Sequence, residues 1–139
     1  MNRWLRPTID TPFHIDLEWW KRQKRDIRIY LSQSLCAECR QAYAEVRDLG
    51  EVDTVDPVTA EVTREDALWS TLRTCCSTKP GYITPNTPII DGIFLCLVAN
   101  GNRPLSPREL YERLDRRPAE TILRMLTGRE VYLGIRPVA

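Results

Sequence analysis

Ser106-Pro107-Arg108-Glu109-Leu110-Tyr111-Glu112-Arg113-Leu114-Asp115-Arg116-Arg117-Pro118-Ala119-Glu120-Thr121-Ile122-Leu123 reads as two helices joined by a tight turn. Ser106 followed three residues later by Glu109 is a capping box, and Pro107 stands at the first helical position, where no backbone N–H is needed. Leu110, Tyr111 and Leu114 give the first helix its apolar side. Pro118 opens the second, which carries Ile122, Leu123 and Leu126 at helical spacing and stops at Gly128. Upstream, Thr87-Pro88 predicts a helix start, with Thr87 as cap and the helix running to Ala99 before Asn100-Gly101. That segment is apolar nearly all round, which predicts a central position. Downstream, Val131, Leu133 and Ile135 alternate with Tyr132, Gly134 and Arg136, predicting a last strand over 130–138.

Three helices with a tight turn between the last two, followed by a strand, resemble a winged-helix or helix-turn-helix domain. The resemblance covers residues 87–139 and rests on Thr87-Pro88, Leu105-Ser106-Pro107-Arg108-Glu109-Leu110, Arg117-Pro118-Ala119-Glu120-Thr121-Ile122-Leu123 and Glu130-Val131-Tyr132-Leu133. It implies that the third helix enters the major groove of DNA and brings Glu120, Thr121 and Arg124 to base edges. It further implies phosphate contacts from Arg116, Arg117 and Arg129, joined by Arg108, Arg113 and Arg136. The sequence closes after one wing strand, so Leu105 is expected to pair with that strand. The same helical shape serves elsewhere as a protein-binding module, so double-stranded DNA, a protein partner and a second copy of the chain all stand as partners. Residues 103–139 hold eight Arg against five acids, a balance of +3 in a chain whose net charge is +1.

The second signal is four cysteines in two pairs, Cys36-Ala37-Glu38-Cys39 and Cys75-Cys76. A CxxC turn lets two thiolates face one centre, and zinc takes about four such ligands at roughly 2.3 Å. Cys36, Cys39, Cys75 and Cys76 are therefore the expected metal ligands. Adjacent cysteines reach one ion only where the backbone bends sharply, as at a helix end. A three-cysteine site completed by His14, the only histidine, or by an Asp or Glu is a variant of the same idea. Zinc is the expected cofactor, and an iron–sulfur cluster on the same thiolates is the alternative. Cys96 falls in an apolar helix and reads as a small buried hydrophobe. A competing order, strand then CxxC then helix, is that of a thioredoxin-like thiol oxidoreductase, in which the helix N-terminus activates the first cysteine.

The N-terminal half fits around those cysteines. Phe13-His14-Ile15-Asp16-Leu17 alternates, and Ile27-Arg28-Ile29-Tyr30-Leu31 has the strict period of a strand. A helix is expected over 37–49, a hairpin over 51–63 turning at Asp56-Pro57, and a helix over 64–74 ending at Cys75-Cys76. Breakers from Lys79 to Asn86 mark the organisational boundary. The expected fold is α+β: residues 1–84 form a small sheet with helices and a cysteine metal site, and residues 85–139 form the winged-helix-like unit. Trp19-Trp20 beside Lys21-Arg22-Gln23-Lys24-Arg25 mixes stacking and cationic groups, but reads more simply as a solvated edge capping a core.

Composition closes off several classes. With 42% hydrophobic and 28% charged residues the chain has the make-up of a folded globular protein. The N-terminus lacks a signal-peptide core, and the longest apolar run, 89–99, is too short to cross a bilayer; both point to the cytoplasm and to no membrane partner. Thiols stay reduced there. No Ser/His/Asp set, phosphate loop or dinucleotide signature is present, so no enzyme is expected. The reading that results is a small metal-stapled DNA-binding protein, a transcriptional regulator, with a protein-binding adaptor as the alternative.

Overall fold

A computed structural model describes residues 6–43 and 50–138, and in it the alternation Phe13-His14-Ile15 is a strand, β1 (Phe13–Ile15). Phe13 and Ile15 are buried on one face, as period two requires. β1 pairs antiparallel with β4 (Ile135–Pro137), setting Phe13 opposite Pro137 and Ile15 opposite Ile135. Its other edge meets Leu105: the Phe13 N–H donates to the Leu105 carbonyl at 2.9 Å and the Leu105 N–H returns a bond of 2.9 Å. Leu105 therefore does not pair with the final strand, as the sequence suggested, because β1 lies between them. The final strand is also shorter than expected. Leu133 and Gly134 take φ of +54° and +76°, which breaks extended pairing before Ile135.

The fold is α+β, with seven helices and two two-stranded antiparallel sheets among the described residues. They group into two compact units. One joins residues 6–25 to 85–138, and the other spans 26–84. The expected boundary near residue 84 is present, but the N-terminal arm belongs with the C-terminal unit, because β1 completes that unit's sheet.

In the first unit, α1 (Leu17–Arg22) starts at Asp16, whose carboxylate accepts from the Glu18 N–H at 3.0 Å. Trp20 is buried, lies 6.2 Å from Phe94 between ring centroids, and donates its indole N–H to the Leu133 carbonyl at 3.0 Å. The Arg25 guanidinium stacks over Trp20 at 4.8 Å, so the Trp-rich basic segment caps a core edge. α5 (Ile89–Ala99) is buried from Gly92 through Val98 and is the central helix its composition predicts. It begins one residue later than expected, after Pro88. α6 (Pro107–Leu114) has the capping box: Glu109 N–H to Ser106 Oγ at 3.2 Å, and Ser106 N–H to Glu109 Oε1 at 3.0 Å. A left-handed Asp115, φ +52°, ends it, and α7 (Ala119–Leu126) follows Pro118 with Ile122 and Leu126 buried.

Asn102 supplies a bond pattern that the sequence reading missed. Its side-chain amide accepts from the Ile15 N–H at 2.8 Å and donates to the Ile15 carbonyl at 3.0 Å, standing in for a strand residue beside Leu105. Asn102→Ala leaves both Ile15 groups unpaired and is expected to destabilise by about 1–3 kcal/mol, read as a lowered urea midpoint. An unchanged midpoint would contradict the pairing.

In the second unit, α2 (Ile27–Ser32) stands where the alternation predicted a strand. Asp26 caps it by accepting from the Arg28 N–H at 2.9 Å. Ile27 and Leu31 are four apart and fit a helix face as well as a strand face. Burial decides between them: Leu31 is fully buried while Ile29 is 63% exposed. α3 (Ala37–Gln41) follows the CxxC start, and the rest of the expected helix, 44–49, lies outside the described residues. The hairpin is β2 (Glu51–Val55) with β3 (Val62–Asp66), Val55 opposite Val62. The Asp56 carboxylate accepts from the Val58 and Thr59 N–H groups at the turn. Pairing with β2 takes residues 64–66 into β3, so α4 begins at Ala67 (Ala67–Thr74), capped by Asp66.

Candidate metal centre

Among its described residues the second unit buries the apolar side chains of Leu31, Leu35, Ala67, Leu68, Leu72 and Cys76. Small cores of this kind gain most from a staple. α2 packs on α4, and the Arg28 guanidinium pairs with Asp66 at the start of α4. Arg73 grips the Glu65 carboxylate with two bonds, of 3.2 and 2.7 Å. At the far ends of α2 and α4 the chain places four sulfurs.

The Sγ atoms of Cys36, Cys39, Cys75 and Cys76 all lie within 4.8 Å of one another. Cys36 is the N-cap of α3, so the CxxC spans the cap and the first turn, and both side chains leave the same side. Cys75 ends α4 and Cys76 opens a 3-10 turn (Cys76–Thr78). The backbone bend between them, with Cys75 at φ −116° and ψ −65°, is the sharp corner that adjacent ligands require. Hydrogen bonds fix it: the Thr78 hydroxyl donates to the Cys75 carbonyl at 2.7 Å and the Ser77 hydroxyl to the Arg73 carbonyl at 2.6 Å. The Cys36 N–H donates to Cys76 Sγ at 3.2 Å, and Cys39 Sγ donates to Cys75 Sγ at 3.5 Å. Arg40 braces the approach to Cys36 by donating to the carbonyls of Gln33 and Leu35, and nothing in the sequence pattern had marked it.

These distances suit a cation. A tetrahedral ion with bonds of about 2.3 Å sets its sulfurs roughly 3.8 Å apart. The electrostatics point the same way. The Cys36 thiol is pulled down to about 7, chiefly by the Cys39 backbone N–H and then by hydrogen bonds from the other three thiols, against desolvation. Burial pushes Cys39 up, and its hydrogen bonds to Cys75 and Cys36 add to the rise. Burial also raises Cys76, although the Cys36 N–H opposes it. Cys36 ionises readily in this cluster while Cys39 and Cys76 resist, unless a positive ion neutralises the thiolates. Four close cysteines thus form a site that could hold a metal ion.

All four sequence-predicted ligands are brought together. His14 is on β1 in the other unit, opposite Arg136, and is not among the clustered residues. Cys96 is buried in α5, where burial lifts its thiol to about 11, matching its reading as a hydrophobe. The thioredoxin-like order loses its premise, since a helix rather than a strand precedes the CxxC.

The nucleic-acid candidates lie on α7 and its flanks. Arg116 and Arg117 are exposed between α6 and α7, with the Arg116 guanidinium donating to the Thr87 carbonyl. Half-buried Thr121 accepts from exposed Arg124 at 3.4 Å, and Arg129 is exposed beyond the helix end. Arg108 is engaged by Asp10 at 2.8 Å and Arg136 by Asp16 at 3.3 Å, so these two are less free to meet phosphates. No described helix is long and apolar enough to cross a membrane.

No protein-family model, no curated protein and no solved structure matches this chain.

Proposed function

We propose that the cysteine tetrad holds one zinc ion as a structural staple, and that the unit formed by residues 6–25 and 85–138 binds double-stranded DNA. The chain then acts as a transcriptional regulator of winged-helix-like design. Zinc suits four thiolates with no open position, the arrangement of structural rather than catalytic sites. The observation that carries the DNA reading is the regrouping of the chain. With residues 1–25 joined to 85–139, that unit has 14 Lys and Arg against 9 Asp and Glu, or +5, while residues 26–84 have 6 against 10, or −4. The near-neutral whole therefore hides a basic unit, and that unit is the one with the paired helices α6 and α7. β1 between Leu105 and β4 supports the reading further, since it gives three-stranded character to a sheet that the C-terminal residues alone leave short.

Duplex DNA binding by fluorescence anisotropy tests this. The wild type is expected to bind at about 50 mM salt and to weaken steeply by about 200 mM. Replacing Arg116, Arg117 and Arg124 with Ala should cut affinity and flatten the salt slope by about 2, one for each of the phosphate contacts of Arg116 and Arg117. No binding at the lower salt removes the DNA reading.

A second reading, a protein-binding adaptor, is favoured by one feature. Val55, Val58 and Val62 are exposed at the hairpin tip, Val58 by 90%. Apolar side chains gathered at the end of a two-stranded arm suit a protein contact.

A further inference from the structure

We infer that Cys39 and Cys75 form a disulfide when the protein meets a hydroperoxide, and that this bond ties together the same two segments as the metal. The inference rests on the metal reading above and assigns a second, covalent state to the same staple. Its basis is geometric. Cys39 Sγ and Cys75 Sγ are in hydrogen-bond contact at 3.5 Å, and both residues are partly exposed. Cys76 is buried and its sulfur is engaged by the Cys36 N–H. A Cys36–Cys39 bond would close a ring within one turn and tie it to nothing. A Cys39–Cys75 bond spans 36 positions and fastens α3 to the end of α4.

The chemistry balances with hydrogen peroxide as oxidant. Cys75, which accepts the Cys39 S–H, attacks a peroxide oxygen as thiolate; the O–O bond breaks, a sulfenic acid forms, and the departing hydroxide takes a proton to become water. The second sulfur attacks the first; the S–S bond forms, the S–O bond breaks, and a second water leaves with the second thiol's proton. Two electrons pass from the two sulfurs to the peroxide, so two thiols and one peroxide give one disulfide and two waters. Cys36 and Cys76 remain as thiols. With two of its four ligands consumed the site can no longer hold the ion, so oxidation releases metal while the disulfide keeps the segments joined.

The test treats the full chain with one equivalent of hydrogen peroxide. It reads the bond by peptide fragmentation, the metal by elemental analysis and the structure of residues 26–84 by hydrogen exchange. A Cys39–Cys75 linkage, loss of bound zinc, retained protection in β2, β3 and α4, and reversal by dithiothreitol are expected. The double variant Cys36→Ser/Cys76→Ser should still form the bond, and Cys39→Ser/Cys75→Ser should not. Fragmentation of the oxidised wild type decides the matter even where a variant fails to fold. A Cys36–Cys39 linkage, or loss of protection on oxidation, overturns the inference. The two readings fail separately: zinc-free protein that still forms Cys39–Cys75 sinks the metal and keeps the disulfide, whereas zinc-loaded protein that forms Cys36–Cys39 does the reverse.

Discussion

Chelation of the metal is expected to unfold residues 26–84 while the sheet and helices of the other unit stay folded. The contrast comes from the two cores. The first unit buries Phe13, Ile15, Trp20, the run Ile93 to Val98, Leu105, Leu110, Ile122, Leu126 and Ile135. Among its described residues the second buries six apolar ones, one of them the candidate ligand Cys76. Structural zinc supplies about 10–16 kcal/mol in small domains at neutral pH, more than the roughly 5–15 kcal/mol by which whole domains are stable. Removing it should release the hairpin and α4 together. Cys39→Ser should act like chelation, and one equivalent of zinc should disappear from the purified protein. Hydrogen exchange resolved by segment checks it: loss of protection in β2, β3 and α4 with α5 to α7 unchanged is the expected pattern. Retained protection across 26–84 after complete metal removal would contradict the staple.

The sign of the pH dependence separates the loaded from the stripped protein. In the loaded protein all four thiols must be ionised, so acid competes with metal, and stability of the second unit should fall as pH drops below about 7. Without metal, the group with a depressed value is Cys36, whose contribution is full above its ordinary value of 9.0 and fades as pH falls through about 7. Cys39 and Cys76 are raised, so the folded state prefers them protonated, and their contribution is lost as pH rises past the ordinary thiol range. Refolding of the stripped, reduced unit should therefore be disfavoured further on the alkaline side, where loaded protein keeps its stability. Urea midpoints of the loaded protein at pH 6, 8 and 10 follow the acid limb, and far-UV dichroism of the stripped protein at the same pH values, which span the ordinary thiol value of 9.0, follows the alkaline one.

What could be read from the sequence follows the range of the interactions involved. The capping box at Ser106, the Asp56 turn and the apolar helix over 89–99 are local, and each stands where its residues place it. The four clustered cysteines are also legible, because their chemistry is rare enough to mark them without knowing how they meet. Ile27–Leu31 misled because five residues contain both periods, and the deciding fact is the burial of Leu31 beside α4, a tertiary one. The pairing of Phe13 with Pro137 joins the two ends of the chain, and no local pattern encodes it. That single pairing moved the basic N-terminal residues into the helical unit and changed the charge argument for function.

The same pairing makes Gly134 intolerant of a side chain. Gly134→Ala is expected to lower the melting temperature of the first unit by roughly 10 °C or more, from about 4–8 °C per kcal/mol for a domain of this size. Two effects add. Gly134 sits at φ +76°, where an L side chain costs about 1–2 kcal/mol. A Cβ there would lie 2.8 Å from Trp20 Nε1, 3.0 Å from Trp20 Cδ1 and 3.1 Å from the Asp16 carbonyl oxygen, and such overpacking costs about 1–3 kcal/mol. Neither neighbour can yield cheaply. The Asp16 N–H donates to the Gly134 carbonyl at 2.7 Å, holding the two backbones together, and the Trp20 indole is tied to Leu133 and rests on Phe94 of the central helix. Displacing Trp20 would pass the strain into α5, on which α6 packs, so duplex binding should weaken with stability. Gly128→Ala is the control: its Cβ meets only the Arg124 carbonyl oxygen, at 3.8 Å, and its φ is unstrained. Calorimetry on both variants, with Trp fluorescence reporting on Trp20, gives the comparison. Equal melting temperatures for the two would mean that the close approach of Gly134 to Trp20 does not hold the sheet against the helices.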